Sequence, residues 1–194
     1  VRSAVSGRQA KKLCPELTFV SSNGARYREV SEQIREIFHE YTDLVEPLSL
    51  DEAYLDVTQN KKEMISATQI AEEIREKIED KTKLTASAGI SINKFLAKVA
   101  SDYNKPNGQK TIPPEEVLDF MEVLDVRKFH GIGKVTADKM YRQGIYTGAD
   151  LKARTLEDLT SRFGKSGQYY HNVVRGIHTS EVKPVRIAKS VGAE

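Results

Sequence analysis

Asp51 and Glu52 stand side by side in Ser49-Leu50-Asp51-Glu52-Ala53-Tyr54-Leu55-Asp56-Val57, between two apolar stretches. Neighbours along a continuous strand point to opposite faces, so the two carboxylates can serve one site only at a turn or bulge. There they would suit a hard cation such as Mg²⁺, which takes few protein oxygens and draws its other ligands from water and phosphates. Two such ions about 3.5–4 Å apart stabilise the attacking and leaving oxygens of an in-line displacement. An acidic pair of this kind also occurs as a plain solvated turn. The pair alone does not separate the two readings.

A second candidate is Phe129-His130-Gly131-Ile132-Gly133-Lys134-Val135-Thr136-Ala137-Asp138-Lys139-Met140, followed by Gly144-Ile145-Tyr146-Thr147 and Asp150-Leu151. Gly-Ile-Gly ahead of an amphipathic stretch is the pattern of a helix-hairpin-helix. Glycines admit unusual backbone angles and close approach. Free N–H groups at the next helix start can hold a phosphate oxygen, with Lys134 beside them. Gly131 and Gly133 alone would read as a helix stop, whereas the whole string favours sequence-independent contact with a phosphate backbone.

The third is Lys105, in the Lys105-Pro106-Asn107-Gly108 turn after Ala97-Lys98-Val99-Ala100-Ser101-Asp102. A compact cation anchored in a turn suits a triphosphate, and it equally fits an ordinary surface lysine. His39, His130, His171 and His178 lie in unrelated segments without metal-ligand spacing. Tyr169-Tyr170 is expected to pack between helices. The stretch from Lys183 to Lys189 reads either as a DNA contact or as a solvated linker.

These residues must be carried by regular elements. A short helical pattern around Ala10 and Leu13 breaks at Pro15. Ile34, Ile37, Phe38 and Tyr41 predict a helix over 31–41, and Ile70, Ile74 and Ile78 predict another over 64–79. Strands are predicted at 44–50, 53–57, 85–92 and 110–112, with a helix over 93–101. After Pro113-Pro114 only glycine-punctuated helices follow, at 115–124, 135–143, 147–152, 156–163 and 168–175. An α+β layer followed by an all-helical unit is the expected fold class, divided at residue 113.

Composition narrows the setting. The 194 residues carry 30 Lys+Arg against 28 Asp+Glu, and this near-balance leaves any basic surface to local clustering. One cysteine, Cys14, excludes a disulfide framework and suits a reducing compartment; it is expected to be a small buried hydrophobe. No apolar run reaches the ~20 residues of a membrane span. The first residue is Val1, with no signal-peptide pattern, and the chain is expected to be a fragment in a cytoplasmic setting.

The Ser-Leu-Asp-Glu-Ala-Tyr-Leu-Asp-Val segment, Ala-Gly-Ile-Ser-Ile-Asn-Lys-Phe-Leu-Ala-Lys-Val-Ala-Ser-Asp, Lys-Pro-Asn-Gly and the Gly-Ile-Gly hairpin together resemble the Y-family translesion DNA polymerases, DinB type. The resemblance runs in order through essentially the whole chain. It implies the end of the fingers at 1–22, a partial palm (a mixed sheet with flanking helices) at 23–112, a helix-hairpin-helix thumb at 113–180, and a linker towards a little finger at 181–194. It implies Asp51 and Glu52 as Mg²⁺ ligands, Glu52 at the ion that activates the primer 3′-hydroxyl, and two ions in the complete enzyme. Lys105 would reach the incoming deoxynucleoside triphosphate, and Gly131, Gly133 and Lys134 would touch phosphates of primer-template DNA. A sliding clamp is a further partner it implies. The family's first strand, with another metal-binding Asp and an aromatic gate, is not in this sequence, nor is the fingers' Tyr-x-x-Arg. The isolated chain is therefore expected to be inactive. A non-catalytic DNA-binding module, or a glycosylase or nuclease with the same hairpin, remains open; a glycosylase would draw on Asp138 or Lys139.

Overall fold

Apolar residues four apart and polar caps between them decide most of the helices. In the computed structural model, which describes residues 1–2 and 4–185, α1 (Gly7–Leu13) is capped by Ser6 and ends before Pro15. Cys14 is the extended C-cap of that helix, next to exposed Leu13, and is only partly buried. This corrects the expected buried position. Helix α2 (Gly24–His39) starts seven residues before the predicted 31, where the Asn23 side chain accepts from Arg26 N. That cap satisfies a free N–H and extends the helix beyond its apolar stripe.

Strands β1 (Val45–Pro47) and β2 (Ala53–Leu55) pair antiparallel, with Val45 opposite Leu55, and are shorter than predicted. Helix α3 (Ala67–Thr82) buries Ile70, Ile74 and Ile78 against Ile37 and Tyr41 near α2. Strand β3 (Ala88–Ile90) pairs parallel with β4 (Gln109–Thr111), the two joined through α4 (Lys94–Ser101). Arg75 on α3 clasps this region: Nε donates to Ala86 O at 2.9 Å, and Nη2 donates to Asn107 O at 2.7 Å. The Lys105–Gly108 turn is thereby fixed from beneath.

A turn of 3₁₀ helix at Pro114–Glu116 leads into α5 (Val117–Val123). Helices α6 (Lys134–Tyr141), α7 (Gly148–Lys152), α8 (Leu156–Phe163) and α9 (Lys165–Val173) complete the helical half. Helix α9 starts three residues before the predicted 168, since Gly164 takes a positive φ and lets it follow α8 directly. Tyr170 is buried and packs edge-on with Phe163, as expected for a packing role. One apolar cluster contains Phe95, Leu96, Val99 and Ala100 of α4 together with Met121, Phe129, Met140, Leu159 and Val174. The change at residue 113 is therefore a change of element type across a continuous core.

Candidate active site

The β1–β2 connection builds the acidic site. Leu48 N and Ser49 N both donate to Glu52 O, at 2.9 and 3.3 Å, closing a tight turn that carries Asp51 and Glu52. Helix α2 holds it from below: buried Ser31 Oγ donates to Leu50 O at 2.5 Å, and Arg35 Nη2 reaches Ser49 O at 3.5 Å. Ser49 Oγ donates to Asp51 Oδ1 at 2.5 Å and orients that carboxylate. Both acidic side chains are exposed. The turn removes the strand alternation that would have set them on opposite faces.

Helix α4 brings a cation that sequence reasoning missed. Lys98 Nζ lies 2.5 Å from Glu52 Oε1; the lysine side chain is 15% exposed against 42% for the glutamate. Its signal in the sequence was faint: a lysine among the polar positions of a mainly apolar helix, which also fits a side chain that snorkels to solvent. Lys105 does not contact the pair. Its ammonium ion-pairs with Asp102 at 2.6 Å, and that hydrogen bond holds its pKa above the usual lysine value, against a smaller opposing effect of burial. The charges of Asp102, Glu52 and Asp51 act in the same upward direction, so Lys105 lies in the field of the acidic turn. Burial pushes the Tyr54 hydroxyl on β2 up to about 12, with Tyr169, Glu46 and Glu52 adding to it. Asp56 plays no part here; its Oδ1 accepts from Thr58 N.

The Gly131 turn faces the same opening. Phe129 and Ile132 are buried and Ile132 N donates to Phe129 O at 3.0 Å, which leaves Gly131 at the apex with φ +90°. Tyr169 Oη donates to His130 O at 3.1 Å and props the turn. Gly133 precedes α6 with no side chain capping it, so the first N–H groups of α6 are left to outside acceptors. Lys134 is exposed beside them. A cleft of about 560 Å³ is lined by Lys98, Arg127, Lys128, His130 and Gly131 among others. Lys98 thus touches the acidic turn and faces the glycine turn.

Asp138 and Lys139 are otherwise occupied: Asp138 pairs with Arg127 at 3.2 Å, and Lys139 Nζ donates to Arg162 O at 2.5 Å. Among the described residues no three His, Cys, Asp or Glu side chains converge as a metal cage. Asp51 and Glu52 offer two hard oxygens on an open turn, which fits the small protein share of a divalent ion bound chiefly by water and phosphate.

The impB/mucB/samB family model matches residues 1–102, and the helix-hairpin-helix motif model of that family matches residues 114–145. This chain belongs to the impB/mucB/samB family, the Y-family DNA polymerases. DNA polymerase IV 2 of Agrobacterium fabrum is 59% identical across all 194 residues, which make up 54% of its length. DNA polymerase IV of Listeria monocytogenes is 55% identical over the same span, again 54% of its length. The chain spans about half the length of the curated relatives it matches.

Solved Y-family structures agree in fold. DinB from Sulfolobus solfataricus superposes with a TM-score of 0.83 at 31% identity, over 91% of this chain and 52% of that one. The insertion ternary complex of Dbh DNA polymerase gives 0.85 at 30% identity, over 94% and 54%. The mixed helix-and-sheet half and the helical half are thus a Y-family palm and thumb, and membership implies dependence on a divalent cation. No helix among the described residues is long and apolar enough to cross a membrane.

Proposed function

We propose that this chain carries the acidic turn and the DNA grip of a template-directed translesion polymerase. The observation that carries the reading is the single cleft in which Lys98, paired to Glu52, meets the Gly131 turn. In this reading residues 1–22 end the fingers, 23–112 form the palm, 113–180 the thumb and 181–194 a linker, of which residues 186–194 lie outside the described residues. Mg²⁺, as two ions in the complete enzyme, would be held by Asp51 and Glu52, Glu52 at the ion beside the primer 3′-hydroxyl, and would stabilise charge on the attacking and leaving oxygens.

The chain's own residues supply positioning, which carries most of the catalysis in phosphoryl transfer. The α6 N-terminus with Lys134 holds phosphates of primer-template DNA and reads no bases. Lys105, whose ammonium is held by Asp102 beside the acidic turn, meets the triphosphate of the incoming nucleotide. The primer 3′-oxygen attacks the α-phosphate and pyrophosphate leaves. The single cysteine, Cys14, suits a reducing compartment such as the cytoplasm. Primer extension by the full-length gene product, dependent on template, nucleotide and divalent cation, tests the reading. DNA binding without incorporation would leave only a DNA-binding module.

Two variants probe its parts. A Cβ at Gly133 meets nothing within 4 Å, so Gly133→Ala should leave the melting temperature unchanged and still weaken DNA binding on unrelated duplexes alike. Gly131→Ala should weaken binding too, with added strain of roughly 1–2 kcal/mol from its positive φ. Isotherms on two unrelated duplexes decide it; a loss confined to one sequence contradicts backbone contact. Affinity should also fall steeply with salt. Lys105→Ala should raise the nucleotide KM by about tenfold, the scale of one charge-assisted hydrogen bond, with little change in DNA affinity. An unchanged KM returns Lys105 to an ordinary surface lysine.

A further inference from the structure

Ion pairs in this protein are mostly between exposed side chains, and such pairs contribute little. Among the described residues two differ: Lys94–Glu46, with side chains 11% and 16% exposed, and Lys98–Glu52, with the lysine 15% exposed. Lys94 also donates to Glu181 O and lies in a structural knot around β1. Lys98 has no such framework role: its pair joins a helix to an open loop. Its helix is firmly seated, with Phe95, Leu96, Val99 and Ala100 buried on the other face. The ammonium therefore has one defined place, on the oxygen of an acidic side chain assigned above to a divalent ion.

We propose that Lys98 is a positioning residue that acts as a resident counter-cation for Glu52, displaced when a divalent ion binds and then turned towards the anionic strand in the cleft. The inference rests on the reading of Asp51 and Glu52 as the cation site. Three observations carry it. Lys98 occupies Glu52 Oε1 directly, so a second cation must displace it or meet its repulsion at short range. Asp51 is satisfied differently, by a neutral hydroxyl, so the block falls on Glu52 alone. Lys98 also lines the cleft shared with Arg127, Lys128 and the Gly131 turn, where a phosphate would offer the displaced ammonium a new partner.

The physical consequence is linkage. With the cleft empty, Lys98 neutralises Glu52 and keeps divalent affinity low. With a polyanion in the cleft, the ammonium has an alternative site and Glu52 is released. Each ligand then strengthens the other by the same factor, as thermodynamic reciprocity requires. This device would keep the acidic turn from holding metal when there is no DNA to act on.

The test measures Mn²⁺ binding directly, by electron paramagnetic resonance of free Mn²⁺ with the full-length gene product and no DNA. Lys98→Met should bind Mn²⁺ more tightly than the unaltered protein, by on the order of tenfold. Lys98→Arg should stay near the unaltered value, because the charge is restored. A merely structural lysine would predict the reverse: weaker binding in Lys98→Met, with a lower melting temperature. Equal or weaker Mn²⁺ binding in Lys98→Met, or no detectable binding in either protein, overturns the proposal. Adding Glu52→Gln to Lys98→Met should abolish the gain. If Asp51→Asn and Glu52→Gln leave Mn²⁺ binding unchanged, the assignment of the cation site fails, and this proposal fails with it. If they remove it and Lys98→Met shows no gain, only the counter-cation role is lost.

Discussion

Asp51→Asn or Glu52→Gln in the full-length gene product should abolish primer extension without weakening primer-template affinity. The duplex grip is assigned to the uncapped α6 N-terminus, whose residues these substitutions leave unchanged. What is lost acts on the transition state, where charge builds on the attacking and leaving oxygens, and such an interaction changes turnover more than binding. Loss of a single donor to developing charge already costs roughly 10²–10³-fold; removing a metal ligand should cost at least as much. Isosteric amides keep the turn, because Asp51 N donates to Ser49 Oγ and the Ser31 and Arg35 side chains hold the turn carbonyls. Primer-extension gels beside binding isotherms decide the matter. The 194-residue chain alone should bind DNA weakly and fail to extend, since two ions need more carboxylates than Asp51 and Glu52. Robust extension by that chain, or by a full-length Asp51→Asn variant, would remove the acidic turn from the active site.

The largest stability effect should come from Gly89→Ala. A Cβ on Gly89 would sit 1.9 Å from Ala97 O and 2.3 Å from Ser101 N, which are backbone atoms of α4 and cannot swing aside. Accommodating the methyl means lifting α4 from β3. That disturbs the seat of Phe95, Leu96, Val99 and Ala100 and withdraws Lys98 from Glu52. We expect a cost of about 3 kcal/mol or more, at the upper end of overpacking effects. For a chain of this size that lowers the melting temperature by roughly 10 °C. Gly24→Ala is the matched control, because a Cβ there meets nothing within 4 Å and should leave the transition unmoved. Equal melting temperatures for the two variants would show that α4 and β3 do not pack this closely.

The two experiments bear on different layers of one design. The acidic turn is light and exposed, and its chemistry depends on what holds it: Ser31 and Arg35 on one side, Lys98 on the other. The glycine in β3 lets α4 approach closely enough for Lys98 to reach. Arg75 plays the same part for the Lys105 turn, through Asn107.

Local pattern made much of this readable from residues alone. Ile70, Ile74 and Ile78 recur at helical spacing, and the structure buries all three on one face of α3. The span 156–163 was read to the residue, because Thr155 caps its start and Gly164 ends it. Asp51 and Glu52 could share a site only at a turn, and the structure places both in one. The family was legible because its motifs combine turn glycines and charged residues at spacings that a helix or strand pattern alone does not produce. Errors fell at boundaries, as at α2, where Asn23 extends a helix past its apolar stripe.

What the sequence determined by itself is therefore the element types, the turns, the candidate carboxylates and the hairpin. Tertiary structure alone decided that Lys98 meets Glu52 across 46 residues, that Arg75 holds Asn107 across 32, and that one core runs past residue 113. The reason is physical. Backbone preferences and burial periodicity act between residues a few positions apart, whereas the partner of a charged side chain is set by how distant elements pack. A lysine on a polar helix position has many exposed solutions in sequence, and the close seat of α4 on Gly89 leaves it one.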